Sequence, residues 1–141
     1  MTRIKIELPQ FFSFEYTMPV RVTDINYGGH VGNDRYLVFL QEARVAWLAK
    51  YGYTELSFAG TGLILSQSVI EYKKELKYGD TIKIQLQATN PGKYGFDLYY
   101  CILLNSSDDP VIVAKAITTL LCYDYTNKKL AYLPHSTSAI F

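Results

Sequence analysis

Phe12, Phe14, Tyr16, Met18, Val20 and Val22 alternate with Ser13, Glu15, Thr17, Pro19 and Arg21, which is the period of a half-buried strand. Pro19 cannot donate a ladder hydrogen bond, so this strand belongs at a sheet edge or at a bulge. Asn33 and Asp34 can each cap a helix start, and Gly52 suits the left-handed position that ends one. They predict a helix of about 16–18 residues. Tyr36 to Leu40 and Val45 to Ala49 are apolar without a break, so the helix has no broad polar face and should be buried on nearly all sides. Tyr53 to Gly62 reads as a loop and Leu63 to Lys74 as an extended segment. Ser66, Gln67 and Ser68 within it mark either a polar site or a solvated edge. After the turn Tyr78-Gly79-Asp80, the residues Ile82, Ile84, Leu86 and Ala88 point inward and Thr81, Lys83, Gln85 and Gln87 outward. Asn90-Pro91-Gly92 leads to a strand with Phe96, Leu98, Tyr100, Ile102 and Leu104 on one face. A turn over Asn105 to Pro110 precedes Val111 to Tyr123, which is apolar at both parities and so predicts a central strand covered on both sides. Asn127 and Lys128 turn into a short strand, Leu130 to Leu133, and Pro134 should end regular structure.

One long helix with five or six antiparallel strands implies an α+β fold in which a curled sheet wraps the helix. Residues 1–141 form one domain, without internal repeat or linker. Strand edges and the second face of the central strand would remain open, which predicts a homodimer or a dimer of dimers. Lys plus Arg total 14 and Asp plus Glu 13, and no basic run could neutralise a row of phosphates, which argues against nucleic acid as a partner. No apolar run reaches a membrane span of about 18–20 residues, and the first ten residues lack a signal-peptide core, so a soluble, cytoplasmic protein without a membrane partner is expected. In the hairpin around Asn105–Pro110, opposed residues should sum to about 215. Cys101 then faces a residue near Ala114, and Cys122 lies roughly 8 positions, on the order of 25 Å, further along. Both cysteines are expected as buried free thiols.

The stretch VRVTDINYGGHVGNDRYLVFLQEARVAWL resembles the loop and central helix of hotdog-fold thioesterases of the 4-hydroxybenzoyl-CoA thioesterase-like group. The matching residues are Asp24, Gly29, His30, Val31, Asn33, Tyr36, Leu37, Glu42, Ala43 and Arg44, and Tyr78-Gly79-Asp80 before Ile82 is similar to the family's turn into its third strand. The resemblance runs from about Phe12 to Tyr125 and implies the hotdog fold, an acyl-CoA substrate and no metal or organic cofactor. It also shows departures. Many bacterial members carry their working acid where this chain has Asn26. In the plant acyl-carrier-protein thioesterases, Asn26 matches an aspartate, Gly28 an asparagine and His30 a histidine.

Hydrolysis of a thioester needs a nucleophile or activated water, and donors for the developing oxyanion. Unpaired N–H groups at the helix start could supply donors, with Gly28, Gly29, Val31, Gly32 and Asn33 lining the approach and Ser66 as a further substrate-binding candidate. Asp24 could activate water or attack the carbonyl, His30 could share that work and Asn26 could hold the water. The structural alternatives are a salt bridge from Asp24 to Arg21 or Arg35, and a loop-tying hydrogen bond from His30. Glu42 is a further acid candidate, since another branch of the family uses a helix glutamate; its alternative is an ion pair with an arginine across a dimer. Two rival readings stand beside the enzyme: a non-catalytic acyl-CoA-binding module, suggested by Asn26, and a thioesterase acting on acyl carrier protein, for which a near-neutral chain offers little attraction.

Overall fold

The computed structural model describes residues 1–105 and 109–141. Its elements are β1 (Phe14–Pro19), α1 (Arg35–Lys50), β2 (Gly62–Tyr72), β3 (Thr81–Thr89), β4 (Gly95–Leu104), β5 (Val111–Asp124) and β6 (Lys129–Leu130). One antiparallel sheet runs in the order β1-β3-β4-β5-β2, with β6 paired to the end of β5. This curled sheet around one long helix is the hotdog architecture expected from the sequence.

The helix spans 16 residues, and Gly52 follows it at φ +77°, a conformation that a side chain would strain. Asp34 occupies the N-cap but makes no capping hydrogen bond through its side chain. Phe39, Leu40, Ala43, Trp47 and Leu48 are at most 1% exposed and meet the concave face of the sheet, where Ile82, Ile84, Leu86, Leu98, Tyr100 and Ile102 are wholly buried. Burial of each large apolar side chain here stabilises the fold by about 1.5–3 kcal/mol.

The helix is not covered all round, contrary to its apolar sequence. Leu37 and Val45 are 46% and 51% exposed, and Val38, Gln41, Glu42, Val45, Ala46 and Ala49 border an open groove of about 410 Å³ with Tyr16 of β1. One sheet of this length closes over one side of a helix and leaves the other open. The same shortage of cover applies to β5. It is paired on both edges, and Val113, Ala114, Ala116, Leu120 and Cys122 are buried, yet Lys115, Ile117, Thr119 and Leu121 remain half-buried.

Other expectations need correction. β1 is shorter than Phe12–Val22, because beyond Pro19 the chain turns: Val20 N–H donates to the carbonyl of Asp80, and Val22–Asp24 form a 3₁₀ turn. β1 does lie at an edge. Gln87 is buried rather than outward, its Oε1 accepting from Ser13 N–H and its Nε2 donating to the Ala88 carbonyl. Pro134 does not end regular structure but precedes a 3₁₀ turn, His135–Ile140, which buries Ile140 and sets Phe141 edge-on to Phe96. The turn expected over Asn105–Pro110 falls partly outside the described residues. Cys101 and Cys122 are buried free thiols, as expected, although Cys101 faces Lys115, one position beyond Ala114, because a bulge near Ile102 and Leu103 shifts the register.

Arg44, 7% exposed, is carried into the core by α1. Its Nε donates to Glu55 Oε1 at 2.7 Å and its Nη1 to the Tyr100 hydroxyl at 3.1 Å, which stands 3.0 Å from Thr118 Oγ1. A charge this deep persists only when its donors are matched. Glu42 is therefore not the partner of Arg44.

Candidate active site

The loop from Asp24 to Asp34 is pinned from within. Asn26 N–H donates to the His30 carbonyl at 2.8 Å, Gly29 N–H to the Asn26 carbonyl at 3.1 Å, and Ile25 bridges to Val31. Gly29 allows this tight return with φ +82°. Asn26 Oδ1 accepts from Gly28 N–H at 2.9 Å and from His30 N–H at 3.4 Å. Those bonds orient the amide, so its NH₂ group is the end left for a ligand. Val31 N–H donates to the Leu76 carbonyl at 2.9 Å, which joins the loop to the segment following β2.

Asp24 lies behind this loop, 1% exposed. Its carboxylate accepts from Arg21 N–H at 2.8 Å, from Arg21 Nε and Nη2 at 3.2 and 3.3 Å, and from Arg35 Nε and Nη2 at 3.0 and 2.9 Å. Burial alone would push its pKa up, but the hydrogen bonds from Arg21 and Arg35 outweigh that and hold it below the ordinary carboxylate range. Both arginines of the structural alternative are thus engaged at once. Arg21 continues to Glu42, its Nη1 2.6 Å from Glu42 Oε1, within one chain and without need of a dimer partner.

In front of the loop, at the start of α1, is a cleft of about 390 Å³. Asn26, Gly28, His30, Val31 and Asn33 of the predicted set line it, together with Tyr36, Tyr72, Lys73, Lys74 and Glu75. The remaining candidates lie elsewhere. Glu42 faces the open groove of α1. Gly32 is buried, its N–H donating to the Asp24 carbonyl, and Gly29 forms the loop turn beside the cleft. Ser66 is exposed on edge strand β2 at a bulge between Leu65 and Gln67, which is the solvated-edge alternative.

Burial, then the nearby Tyr72 and Glu75, pushes the Tyr36 phenol up to about 12. Burial and then Asp34 push Tyr72 up as well. Both are neutral hydroxyls at pH 7, and Tyr72 donates to the Asn33 carbonyl at 3.1 Å. Their rings meet edge to face at 5.0 Å, giving the cleft an aromatic wall. His30 Nε2 stands 3.1 Å from Glu75 Oε2. Among the described residues, no group of three His, Cys, Asp or Glu side chains is placed to hold a metal ion, and no helix is long and apolar enough to cross a membrane.

A family model described as the thioesterase-like superfamily matches residues 20–141, which takes in the loop, the helix and the whole sheet after β1. The chain belongs to the thioesterase-like superfamily. A relative from Aquifex aeolicus (strain VF5), named provisionally as an esterase, is 27% identical over 107 residues, 74% of this chain and 80% of that protein. The structure of a 1,4-dihydroxy-2-naphthoyl-CoA thioesterase from Synechocystis is similar with a TM-score of 0.76 and 25% identity, covering 86% of this chain and 89% of that one. A 4-hydroxybenzoyl-CoA thioesterase bearing an aspartate-to-asparagine change, with 4-hydroxybenzoyl-CoA bound, is similar in fold at a TM-score of 0.77 and 15% identity, over 87% of this chain and 94% of that one. Superfamily membership supports thioester hydrolysis as the general activity.

Glu75, Tyr72 and the cleft-lining role of Tyr36 were missed from the sequence. Tyr36 carries no role in the sequence motif beyond its match to the family, and Tyr72 ends a strand. Glu75 lies 45 positions after His30 with nothing local to link them. Only the register of β2, and the bond between Val31 and Leu76, bring the two together.

Proposed function

We propose that this protein hydrolyses acyl-CoA thioesters in the cleft at the start of α1. The observation that carries the reading is that Asn26 and His30 open into a single cleft, in a chain whose superfamily is thioesterase-like. A ring nitrogen of His30 takes a proton from water as the water oxygen adds to the thioester carbonyl carbon. The oxyanion is met by the Asn26 amide and by N–H groups of the first turn of α1 other than that of Arg35, which donates to the Gly32 carbonyl. The C–S bond then breaks, and the departing thiolate takes the proton from the imidazolium, leaving a carboxylic acid and coenzyme A. Asp24, already saturated by two arginines, has the role of fixing the loop rather than of attacking the carbonyl. Glu42 continues that ion-pair chain and is likewise left out of the chemistry. Ser66, Gly29 and Gly32 are not assigned substrate contacts.

Release of free thiol from acetyl-, hexanoyl-, palmitoyl- and benzoyl-CoA by the purified protein tests this. Turnover of at least one is expected, and benzoyl-CoA belongs in the panel because of the tyrosine wall and the aromatic acyl group in the Synechocystis enzyme's name. No release from any of the four, with one of them raising the melting temperature, would replace the enzyme by the acyl-CoA-binding module that Asn26 suggests.

The working unit of the proposal is a homodimer or a dimer of dimers. β2, 11 residues long, lies at the edge of the sheet with Leu65 and Tyr72 about half exposed, and a strand edge of that length invites pairing. Light scattering after size exclusion is expected to give two or four times the 16.1 kDa chain mass. A single-chain mass at micromolar concentration would overturn the assignment.

A further inference from the structure

We infer that Glu75 is a positioning residue for His30, an assignment that rests on the thioesterase reading above. Surface pairs of histidine and glutamate are common and usually loose, but this one is held from both sides by the fold. One residue beyond each member, Val31 N–H donates to the Leu76 carbonyl at 2.9 Å, and Val31 and Leu76 are themselves 8% and 1% exposed. Behind Glu75, the N–H groups of Lys73 and Lys74 both reach the Val113 carbonyl of β5, at 2.8 and 3.1 Å. Behind His30, both its N–H and its carbonyl are bonded to Asn26. Two short segments distant in sequence are thus clamped so that the imidazole and the carboxylate meet at 3.1 Å.

The pairing determines which nitrogen works. An ionised carboxylate has no proton to give, so Nε2 is the protonated nitrogen and donates to Glu75 Oε2. Nδ1 keeps its lone pair and is the atom that takes the proton from water. Once it has done so, Glu75 faces the imidazolium at ion-pair distance and stabilises it until the thiolate takes the proton back. His30, Lys74 and Glu75 also border a second cleft of about 310 Å³, which Leu76, Lys77, Asp80 and Leu104 line as well. The pair therefore forms a ridge between two open spaces, where it meets any ligand lying across both.

The test is a double-mutant cycle on whichever of acetyl-, hexanoyl-, palmitoyl- and benzoyl-CoA the wild-type protein cleaves fastest. Glu75→Ala is expected to lower kcat roughly 10- to 100-fold with KM changed less than about twofold, as loss of an orienting partner does. Glu75→Gln, whose carbonyl oxygen can still accept from Nε2, is expected to recover much of that loss. In a His30→Ala background, Glu75→Ala is expected to have no further effect on kcat. The Glu75 side chain is 76% exposed, so the melting temperature serves as a check that each variant is folded. A loss that simply adds to that of His30→Ala, or a rise in KM at constant kcat, overturns the role of Glu75 while leaving the enzyme reading intact. Absence of turnover by the wild-type protein overturns the reading itself, and the inference with it.

Discussion

Replacing Asp24 with alanine is expected to destabilise the protein by about 2–3 kcal/mol at neutral pH, with an acid dependence that identifies the cause. The Asp24 side chain is wholly buried and accepts hydrogen bonds from two guanidinium groups and one backbone N–H. Removing one member of a fully buried ion pair costs about 3–5 kcal/mol, because the other charge is stranded. Here Arg21 and Arg35 are 39% and 30% exposed, so water recovers part of that loss. The folded-state pKa of Asp24 is depressed, so on acidification the unfolded chain binds this proton first. The stabilisation is complete above the unfolded carboxylate value of about 3.9 and is lost as the pH falls through the lower folded value. Urea unfolding of wild type and Asp24→Ala should therefore differ by a constant amount from about pH 5 to pH 7 and converge in stronger acid. A gap that does not change with pH would mean that the ion pairs are not its source. An Asp24→Asn protein as stable as wild type yet inactive would return a chemical role to the carboxylate.

His30→Ala is expected to act in the opposite way, on rate and not on stability. Loss of a general base lowers kcat by about 10²–10⁴-fold, and because the proton transfer occurs only on the way to the transition state, kcat and kcat/KM should fall together. The His30 side chain is half exposed and its backbone bonds are retained in alanine, so the melting curve should stay within about 0.5 kcal/mol of wild type. Steady-state thiol release with a parallel melt separates the two quantities. Unchanged kcat would remove His30 from the chemistry and leave Asn26 and the helix start to orient water alone.

The parts of this protein that were legible beforehand are those encoded by local pattern. The alternation of Ile82, Ile84, Leu86 and Ala88 against polar neighbours required a one-faced strand, and these four are buried. Gly52 fixed where α1 stops, and Pro19 placed β1 at an edge. Patterns of this kind say which side of an element is apolar but not how much cover is available. The outer stripe of α1 is apolar in sequence and open in the folded chain for that reason. Charge partners were read least well. Asp24 with Arg21 and Arg35 lies within eleven positions and could be proposed from proximity. The bond from Arg44 to the Tyr100 hydroxyl could not, since Tyr100, itself paired with Thr118, reaches Arg44 only through the packing of β4 and β5 against the helix. His30 with Glu75 belongs to the same class. At the candidate site, the loop was legible because its residue types are unusual together. Its opposite wall was less so, because nothing local marks Tyr72 or Glu75, which β2 and the segment after it bring there.

The bulge at Ser66 has its own implication for how the chain can vary. Leu65 faces Leu120 and Gln67 faces Thr119, so Ser66 has no counterpart on β5. Deleting a residue well away from it would slide the stretch between that point and the bulge past its neighbour and turn those side chains to the wrong face. Deleting Ser66 would leave each remaining residue opposite its present neighbour, straightening the edge while keeping both the core and the delivery of Glu75 to His30. Within this strand, chain length can change by one at the bulge with every other pair kept, and the bulge lies away from the cleft.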